Sequence, residues 1–412
     1  MKPYLTLIKP VLAFVLYSTI ISGTAISSIA MAVETPTKLR LATFNVSMEA
    51  LNYVDRSSNN KPKVSGSELS QALQQNNQQI KNIAEIIQRI NPDIILLNEF
   101  DRFDDSHKNI RYFLNKYLAQ QQNGQSSINY PYFYQGAVNT GVKVHDELNH
   151  DSTVNQKPSD SHGFGYFEGH FGMALLSKYP IDVKQIRTFQ YFKWRDMPGA
   201  LKPINPETKQ AWFSDKTWKA LRLSSKSHWD IPVNINGETI HILASHPTPP
   251  VFDGPEDRNG KRNHDEIRFW FDYINGEQAH YIYDDLGHRG GLAPQEAFVI
   301  MGDQNASIIN GDAIYTKSSQ GIYALLHSNK IQDPMPKSLG GKQHDKKNIN
   351  AQYHTAYWGM RADYILPSAI GFTIKDSGVF WPQKTDETYH LIKDRQASSD
   401  HRLVWVDVEL TK

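Results

Sequence analysis

The spacing of apolar and polar positions predicts a chain in which strands alternate with helices. Apolar and polar side chains alternate over residues 39–44, which is the period of a strand with one buried face. Apolar residues then recur at three- and four-residue steps over residues 80–90, and this spacing predicts a helix that ends before Pro92. Residues 94–97 are continuously apolar, as in a strand buried on both faces. The order strand, helix, strand indicates an α/β fold that begins with a βαβ-like unit.

Further short strands are predicted later in the chain, at residues 172–177, 231–233, 239–244, 298–301, 361–366 and 403–406. The pair Asn236-Gly237 lies between two of these strands and predicts a tight hairpin turn. A helix is predicted to begin near Asp265, where apolar and aromatic residues follow a polar loop. Residues 119–165 are poor in apolar side chains and predict a long surface excursion.

The first 32 residues have the features of a secretory signal peptide. Lys2 and Lys9 precede a long uncharged run, and the segment 30–32 (AMA) matches a small-residue cleavage signal. We therefore expect cleavage after Ala32, one mature domain over residues 33–412, and a periplasmic or secreted location without stable membrane insertion. The uncharged run is also long enough to span a bilayer, so an uncleaved anchor is the alternative.

Charge and cysteine content exclude several classes of protein. Without Lys2 and Lys9 the chain has 42 basic and 43 acidic residues, a net charge of −1. This charge argues against a protein that binds nucleic acid tightly. The chain contains no cysteine, which excludes a disulfide scaffold and a thiolate metal site. The mature protein must therefore be stabilised by its own core.

The central candidate for chemistry follows the apolar segment Phe298 to Met301, where Gly302 is followed by Asp303 and Asn305. In an extended segment, residues two apart point to the same side. A carboxylate beside an amide suits a phosphoryl group, because one side chain can accept a proton or help to hold a metal and the other can donate a hydrogen bond. The motif alone is weak evidence, since the same residues occur in many turns.

Other predicted strands also end or begin beside a polar residue suited to a divalent metal or a phosphate. The eight residues are Asn45, Glu99, His246, Asp303, Asn305, Asp363, Asp400 and His401. One such residue at a strand edge is usually a turn former or a solvated group. Eight of them in this order are not explained in that way.

The segments that carry these residues resemble motifs of the endonuclease/exonuclease/phosphatase superfamily, the metal-dependent phosphoesterases that include DNase I, exonuclease III and the sphingomyelinases. They are LATFNV, NPDIILLNEFD, GMALLSKYPI, ILASHPTPP, VIMGDQNA, RADYILPS and SSDHRLV, and they lie between residue 39 and the C-terminus. The resemblance implies a four-layered α/β sandwich, in which two mixed β-sheets face each other and helices cover their outer faces.

The resemblance also implies a metal site. Glu99 is similar to the family's principal metal-binding carboxylate, and Asn45 and Asp400 are expected to complete or support that site. A set of hard oxygen ligands suits Mg²⁺, with Mn²⁺ as a common substitute.

Five further residues resemble the family's catalytic groups. Asp303 is similar to the residue that orients or deprotonates the attacking water, and Asn305 is expected to hold a phosphate oxygen. His246 and His401 resemble two histidines that contact the phosphate. Asp363 resembles a carboxylate that orients a histidine, and we expect that histidine to be His246.

The sequence departs from the family pattern in three places. Gln304 replaces the usual Phe, and its side chain is expected to face away from the site. Asn98 replaces the usual Gln before Glu99. Residues 247–268 differ from the nucleases, and their polar side chains are expected either to reach the phosphate or to form a salt-bridged loop that caps a helix: Arg258, Arg262, His264 and Asp265.

The leading hypothesis is a secreted Mg²⁺-dependent phosphoesterase that hydrolyses small phosphomonoesters or phosphodiesters by metal-assisted attack of water, and that is a monomer. The excursion at residues 119–165, if it lies over the site, narrows the entrance to a long polymer. An extracellular nuclease and a catalytically silent binding protein on the same fold are the alternatives. The complete set of acids and histidines argues against the silent protein.

Overall fold

The computed structural model describes residues 37–54 and 63–411, whose strands form two mixed sheets. In chain order the strands are β1 (Lys38–Met48), β2 (Ile94–Phe100), β3 (Tyr132–Tyr134), β4 (Met173–Ser177), β5 (Arg187–Thr188), β6 (His228–Ile235), β7 (Glu238–Ser245), β8 (Ala297–Asp303), β9 (Asp363–Pro367), β10 (Phe372–Val379) and β11 (Val404–Leu410). The first sheet has the order β10-β11-β1-β2-β4-β3, and the second has the order β5-β6-β7-β8-β9. The parallel pairs are β1 with β2 and β7 with β8.

The α-helices are α1 (Glu68–Gln74), α2 (Gln78–Ile90), α3 (Lys108–Phe113), α4 (Asp215–Ala220), α5 (Arg258–Ile274), α6 (Ser318–Leu326) and α7 (Leu339–His344). The α2 helix confirms the predicted apolar periodicity. The side chain of Asn77 accepts a hydrogen bond from the Gln79 amide at its start, and Asn91 ends it in the left-handed conformation with φ 51°. Within the described residues, no helix is both long enough and apolar enough to cross a membrane.

Alternation along β8 explains why the two sheets and their helices form layers. Val299 and Met301 belong to the core cluster that both sheets share. Phe298 and Ile300 point the other way and belong to a second cluster, which includes Trp270 of α5. Because successive side chains of a strand face opposite sides, β8 is buried on both faces. The sandwich of two mixed sheets flanked by helices is confirmed.

The predicted hairpin is also confirmed, since β6 and β7 pair antiparallel on either side of Asn236 and Gly237, which both have positive φ. Helix α5, however, begins at Arg258 and not near Asp265, because its first turns are polar and carry no apolar periodicity. Strands β3, β5 and β10 were not predicted. β10 lies at the edge of its sheet, and its exposed side chains interrupt the apolar pattern.

Two predictions about the ends of the domain lie outside the described residues. The signal peptide at residues 1–32 is one of them, and cleavage after Ala32 therefore stays a prediction. The boundaries of the mature domain stay a prediction for the same reason.

Candidate active site

The predicted polar residues meet at one edge of the sandwich, where the two sheets face each other. Asn45 and Glu99 lie near the ends of the parallel strands β1 and β2, and Asp303 is the last residue of β8. The Asn45 Nδ2 atom donates a hydrogen bond to Asp303 Oδ2 over 3.1 Å, which joins the two sheets. Asp363 pairs with Asp303 across β8 and β9. The order of the strands thus brings together residues that are far apart in sequence.

Asp303 is the centre of the hydrogen-bond network. Its Oδ2 atom lies 3.3 Å from His246 Nε2 and 3.6 Å from His401 Nε2, and its Oδ1 atom accepts a 2.9 Å hydrogen bond from the Asn305 amide. Burial alone would raise the pKa of Asp303, but the two histidines and Asn45 outweigh burial and hold that pKa well below its usual range. Asp303 is therefore an ionised carboxylate at neutral pH.

His401 lies between two buried carboxylates. Its Nδ1 atom donates a 2.9 Å hydrogen bond to Asp363 Oδ2, which also accepts a 2.7 Å hydrogen bond from Thr355 Oγ1. Burial alone would lower the pKa of His401, but the carboxylates of Asp363 and Asp303 raise it to about 10. His401 is thus a cation at neutral pH. The expectation that Asp363 orients His246 was wrong, because Asp363 contacts His401.

His246 has the opposite ionisation. Burial lowers its pKa and the nearby Lys226 cation lowers it further, while Asp303 opposes both effects. The neutral ring lies with Nε2 toward Asp303, and its buried Nδ1 atom has no hydrogen-bond partner among the described residues. The site therefore combines a cationic and a neutral imidazole on one carboxylate.

The backbone is strained where it delivers these side chains. Ser47, Glu99 and Asn305 have positive φ values of 45°, 56° and 50°, which residues other than glycine seldom adopt. Asn305 therefore reaches Asp303 Oδ2, at 3.4 Å, through a turn and not through the extended geometry that the sequence suggested. Gly302 has φ 138°, and a Cβ atom there would lie 2.1 Å from the Ser245 carbonyl oxygen.

A group of carboxylates at the open side of the site fits a divalent cation. Glu99 is partly exposed, and its side chain has no hydrogen bond or ion pair with another described residue. Burial raises its pKa and His246 opposes this, while the neighbouring carboxylates of Asp400 and Glu49 raise it further. Carboxylates that repel one another around a cavity are stabilised by a cation, and their hard oxygens suit Mg²⁺. Ser47 Oγ holds Asp400 Oδ1 at 3.2 Å.

Arg395 lies beside this carboxylate group and was not identified from the sequence. Its Nη1 atom is 3.2 Å from Asp400 Oδ2, and its Nη2 atom is 3.6 Å from Glu49 Oε1. Glu49 also accepts a hydrogen bond from His170 Nε2 at 3.1 Å, because the Tyr166 amide donates to the other ring nitrogen. None of these residues lies directly at a predicted strand end, so the sequence pattern carried no signal for them.

A second group could also be considered for a metal, since Asp303, Asp363 and His401 offer atoms within 4.8 Å of one another. The raised pKa of His401 argues against this use, because a protonated imidazole has no lone pair for a metal. Asn45 is engaged as well, with Nδ2 on Asp303 and Oδ1 accepting from the Ser47 amide at 3.2 Å. The geometry makes Glu99 and Asp400 the better candidates for a metal, and Asn45 a residue that holds Asp303.

Two of the three departures from the family pattern, Gln304 and Asn98, are accommodated inside the protein. Gln304 is buried, and its Nε2 atom donates to Ser245 Oγ over 3.2 Å, which in turn accepts from Trp270 Nε1. Asn98 Oδ1 accepts a 3.1 Å hydrogen bond from the Asp303 amide. Asn98 therefore supports the catalytic strand from the neighbouring sheet.

The polar residues of the 247–268 segment lie on α5 and not on a loop. Arg262 donates to the backbone oxygens of Leu223, Arg222 and His162. Asp265 accepts hydrogen bonds from Trp194 Nε1 and from the Leu201 amide, both at 2.7 Å. Its other oxygen lies 2.8 Å from His264 Nδ1. Arg258 forms an ion pair with Glu256. These contacts anchor the helix.

The network around Asp303 and the neighbouring carboxylates border a cavity of about 290 Å³, which we call the catalytic cavity. It is lined by Glu99, Asp303, Asn305, Asp400 and His401 at its polar end, and by Pro249, Val251, Phe252, Trp358 and Met360 among its other residues. The Trp358 ring packs edge-on against His401 at a centroid distance of 4.9 Å. A small anion in this cavity would lie against His401 and beside the carboxylates of Glu99 and Asp400, whereas His246 is buried and does not line the cavity.

Comparison with known proteins identifies a family for this chain. The model of the Endonuclease/Exonuclease/phosphatase family matches residues 42–401. No curated protein matches the chain.

Among solved structures, an endonuclease/exonuclease/phosphatase from Beutenbergia cavernae is 16% identical, with 90% of this chain and 72% of that chain covered and a TM-score of 0.48. A family protein from Leptotrichia buccalis is also 16% identical, with coverages of 90% and 99% and a TM-score of 0.43. The human Nocturnin catalytic domain with bound sulfate is 12% identical, with coverages of 92% and 97% and a TM-score of 0.46.

Proposed function

Because the chain belongs to the endonuclease/exonuclease/phosphatase family and is a metal-dependent phosphoric ester hydrolase, we propose that it hydrolyses small phosphomonoesters or phosphodiesters by metal-assisted attack of water. The observation that carries this proposal is the position of His401, which lies between Asp363 and Asp303 and lines the catalytic cavity. A fixed cation beside an ionised carboxylate can bind a phosphoryl oxygen and orient water at the same place.

The carboxylates of Glu99 and Asp400 are the groups that would hold Mg²⁺, or Mn²⁺ as a substitute. A bound divalent ion neutralises phosphoryl charge and polarises the phosphorus–oxygen bonds. Arg395 lies 3.2 Å from Asp400 Oδ2 and would face a metal ion bound to this carboxylate. Asn45 and Ser47 hold the two carboxylates Asp303 and Asp400 in place.

The other residues orient the reactants. His401 and the Asn305 side chain donate hydrogen bonds to the phosphoryl oxygens, and these bonds strengthen as charge develops in the transition state. Asp303 accepts a hydrogen bond from the attacking water and fixes its direction. The lowered pKa of Asp303 makes it a weak base, so it contributes orientation and charge more than full proton removal.

Size and charge favour a small substrate over duplex DNA. The catalytic cavity has a volume of about 290 Å³, and Phe252 and Trp358 are among the residues that line it. A protein that binds a duplex needs several Lys or Arg side chains on the phosphates. Without residues 1–32 the chain has a net charge of −1, and residues 256–266 carry both signs of charge in close alternation.

The test compares substrates and salt. Purified protein is assayed with p-nitrophenyl phosphate, bis(p-nitrophenyl) phosphate and plasmid DNA, with Mg²⁺ or with a chelator, at about 50 and 200 mM salt. We expect chelator-sensitive hydrolysis of the small esters with weak salt dependence. Asp303→Asn should lower kcat by about 10² to 10⁴-fold.

The alternatives give other results. Faster cleavage of DNA that collapses at the higher salt identifies an extracellular nuclease. The absence of any chelator-sensitive hydrolysis, in a protein that is folded, identifies a silent binding protein.

A further inference from the structure

A second and larger cavity, of about 520 Å³, lies next to the catalytic cavity; we call it the side cavity. The two cavities share four lining residues, namely Glu99, Pro249, Val251 and Phe252. Glu99 is the carboxylate that we assign to the metal. The two cavities are therefore neighbours that border each other at these four residues.

The side cavity has an apolar wall that two irregular segments of the chain build. Leu148 and Phe164 come from the excursion at residues 119–165, so this excursion borders the side cavity. Trp194, Phe213 and Leu221 come from the irregular chain that follows β5, between residues 194 and 221. Apolar walls of this size bind an organic group by removing its surface from water.

One basic side chain in this wall, Lys226, has no side-chain partner among the described residues. Lys226 is only 5% exposed and lines the side cavity. Among the residues that the structure describes, none forms a hydrogen bond or an ion pair with its Nζ atom. Burial lowers its pKa, while Glu266, Glu99 and Asp303 act to raise it. Burying an ammonium group is costly unless it gains hydrogen-bond acceptors, so an anionic oxygen bound in the side cavity would stabilise Lys226.

Glu266, the acid with the largest electrostatic effect on Lys226, accepts its hydrogen bonds from backbone amides. The two carboxylate oxygens of Glu266 accept 2.6 Å hydrogen bonds from the amides of Ser225 and Thr248. Arg262, which also lines the side cavity, shows the usual solution for a buried cation, since it donates to three backbone carbonyl oxygens. Lys226 also lines the side cavity, but its Nζ atom has no such carbonyl partner among the described residues.

We propose that the side cavity binds the organic substituent of the phosphoester substrate, an aromatic or branched apolar group, and that Lys226 binds a phosphate oxygen where the two cavities meet. This assignment rests on the proposed phosphoesterase function and adds a substrate class to it. The substrate is a small phosphoester with one bulky apolar substituent. Lys226 would add its positive charge to those of His401 and the metal ion.

The first experiment measures the preference for a bulky substituent. 2-Phenylethyl phosphate and ethyl phosphate have similar alkyl leaving groups and differ mainly in the ring, so the ratio of their kcat/KM values reports on the side cavity. We expect the wild type to favour the phenylethyl ester by about tenfold or more. Leu221→Trp, which fills the side cavity, should bring the ratio close to one. Leu286→Trp is the matched control, since Leu286 is 80% exposed and lies outside both cavities.

The second experiment measures binding without turnover. The affinity of 2-phenylethylphosphonate is determined by calorimetry for the wild type, Lys226→Met and Lys219→Met. Lys219 is exposed on α4, so it serves as the control. We expect Lys226→Met to weaken binding by about tenfold or more, and the control to leave it unchanged. Circular dichroism establishes that each variant is folded.

The outcomes separate the two proposals. If the wild type hydrolyses neither ester, the proposed function fails, and phosphonate affinity then decides on the side cavity alone. If both esters are hydrolysed equally well and Leu221→Trp has no effect on their ratio, the side cavity does not bind the substituent. Unchanged phosphonate affinity in folded Lys226→Met overturns the assignment of Lys226.

Discussion

At the scale of single residues, the site shows which inferences a strand-end pattern supports. Each of the eight predicted polar residues lies in the network around Asp303 or in the carboxylate group beside it. The partner of Asp363 was assigned wrongly, since both histidines follow or precede a strand and the sequence does not say which one packs against β9. Lys226 and Arg395 gave no signal, because their roles depend on which loops close over the site.

The contact between Asp363 and His401 gives a prediction about ionisation. In metal-free wild type, NMR titration should find His401 protonated at neutral pH, with a pKa of about 10. Asp363→Asn removes the closest carboxylate and should move that pKa down toward the ordinary value of 6.5. It should also lower kcat more than it changes KM, because His401 acts on the developing charge. An unchanged His401 titration in the variant would show that Asp363 does not set it.

The raised pKa of His401 also makes the stability of the folded protein depend on pH. The folded-state pKa of His401 lies above its unfolded value, so the stabilisation is fully present below pH 6.5. It decreases as the pH rises and is lost through about pH 10. The free energy of unfolding of Asp363→Asn should therefore depend less on pH across this window than that of the wild type.

Glu99 allows a direct test of the metal site. Glu99→Gln keeps the shape of the side chain and removes its charge, so Mg²⁺ affinity measured by calorimetry should fall. Loss of a group that merely orients a ligand weakens metal binding by about 10- to 100-fold, and loss of the ligand itself should cost at least as much. Glu296→Gln, whose side chain is 43% exposed and outside the catalytic cavity, is the control. Equal Mg²⁺ affinity in both variants would remove Glu99 from the metal site.

At the scale of elements, α5 holds the two segments that flank the site. Glu266 lies on this helix and accepts hydrogen bonds from Ser225, just before β6, and from Thr248, just after β7. The sequence predicted the helix from its apolar second half and missed its polar first turns, because Arg258 to His264 carry no apolar periodicity. These polar turns are helical because they bind to neighbouring backbone, which only the folded chain provides.

The helix anchor leads to a prediction about stability. Glu266→Ala leaves two buried amides without an acceptor, each of which costs about 1–3 kcal/mol. The free energy of unfolding, measured by urea denaturation, should fall by about 3 kcal/mol. Glu238→Ala, at an exposed position of β7, is the control and should change it little. A loss equal to that of the control would mean that these two hydrogen bonds do not hold the helix.

At the scale of the whole molecule, the periodicity of strands and helices predicted the sandwich, because burial on one or both faces leaves a pattern in the sequence. The pairing of the strands into two sheets depends on contacts between residues that are distant in sequence. It was therefore predicted from the family resemblance and not from the periodicity. The edge strands β3, β5 and β10 were missed because solvent-facing side chains weaken the pattern.

Export of the protein remains a prediction from the first 32 residues. We expect the mature chain to begin at Val33, since the AMA segment precedes it. N-terminal sequencing of protein recovered from the periplasm or the culture medium checks this. A membrane-bound product that still begins at Met1 would mean that the segment is an anchor.

The hydrogen bond between Asn45 and Asp303 has a consequence for how this protein fails. The two residues belong to different sheets, and the Asn45 Nδ2 and Asp303 Oδ2 atoms are 3.1 Å apart. The turnover rate therefore depends on how the two sheets are aligned. A displacement of about 1 Å at reacting groups can cost about 10²-fold in rate. A conservative change among the apolar residues between the sheets, such as Met301→Leu, can therefore lower the turnover rate strongly. The circular dichroism spectrum and the melting curve of such a variant would still be those of a folded protein. Loss of activity is then no sign that a catalytic group has been touched.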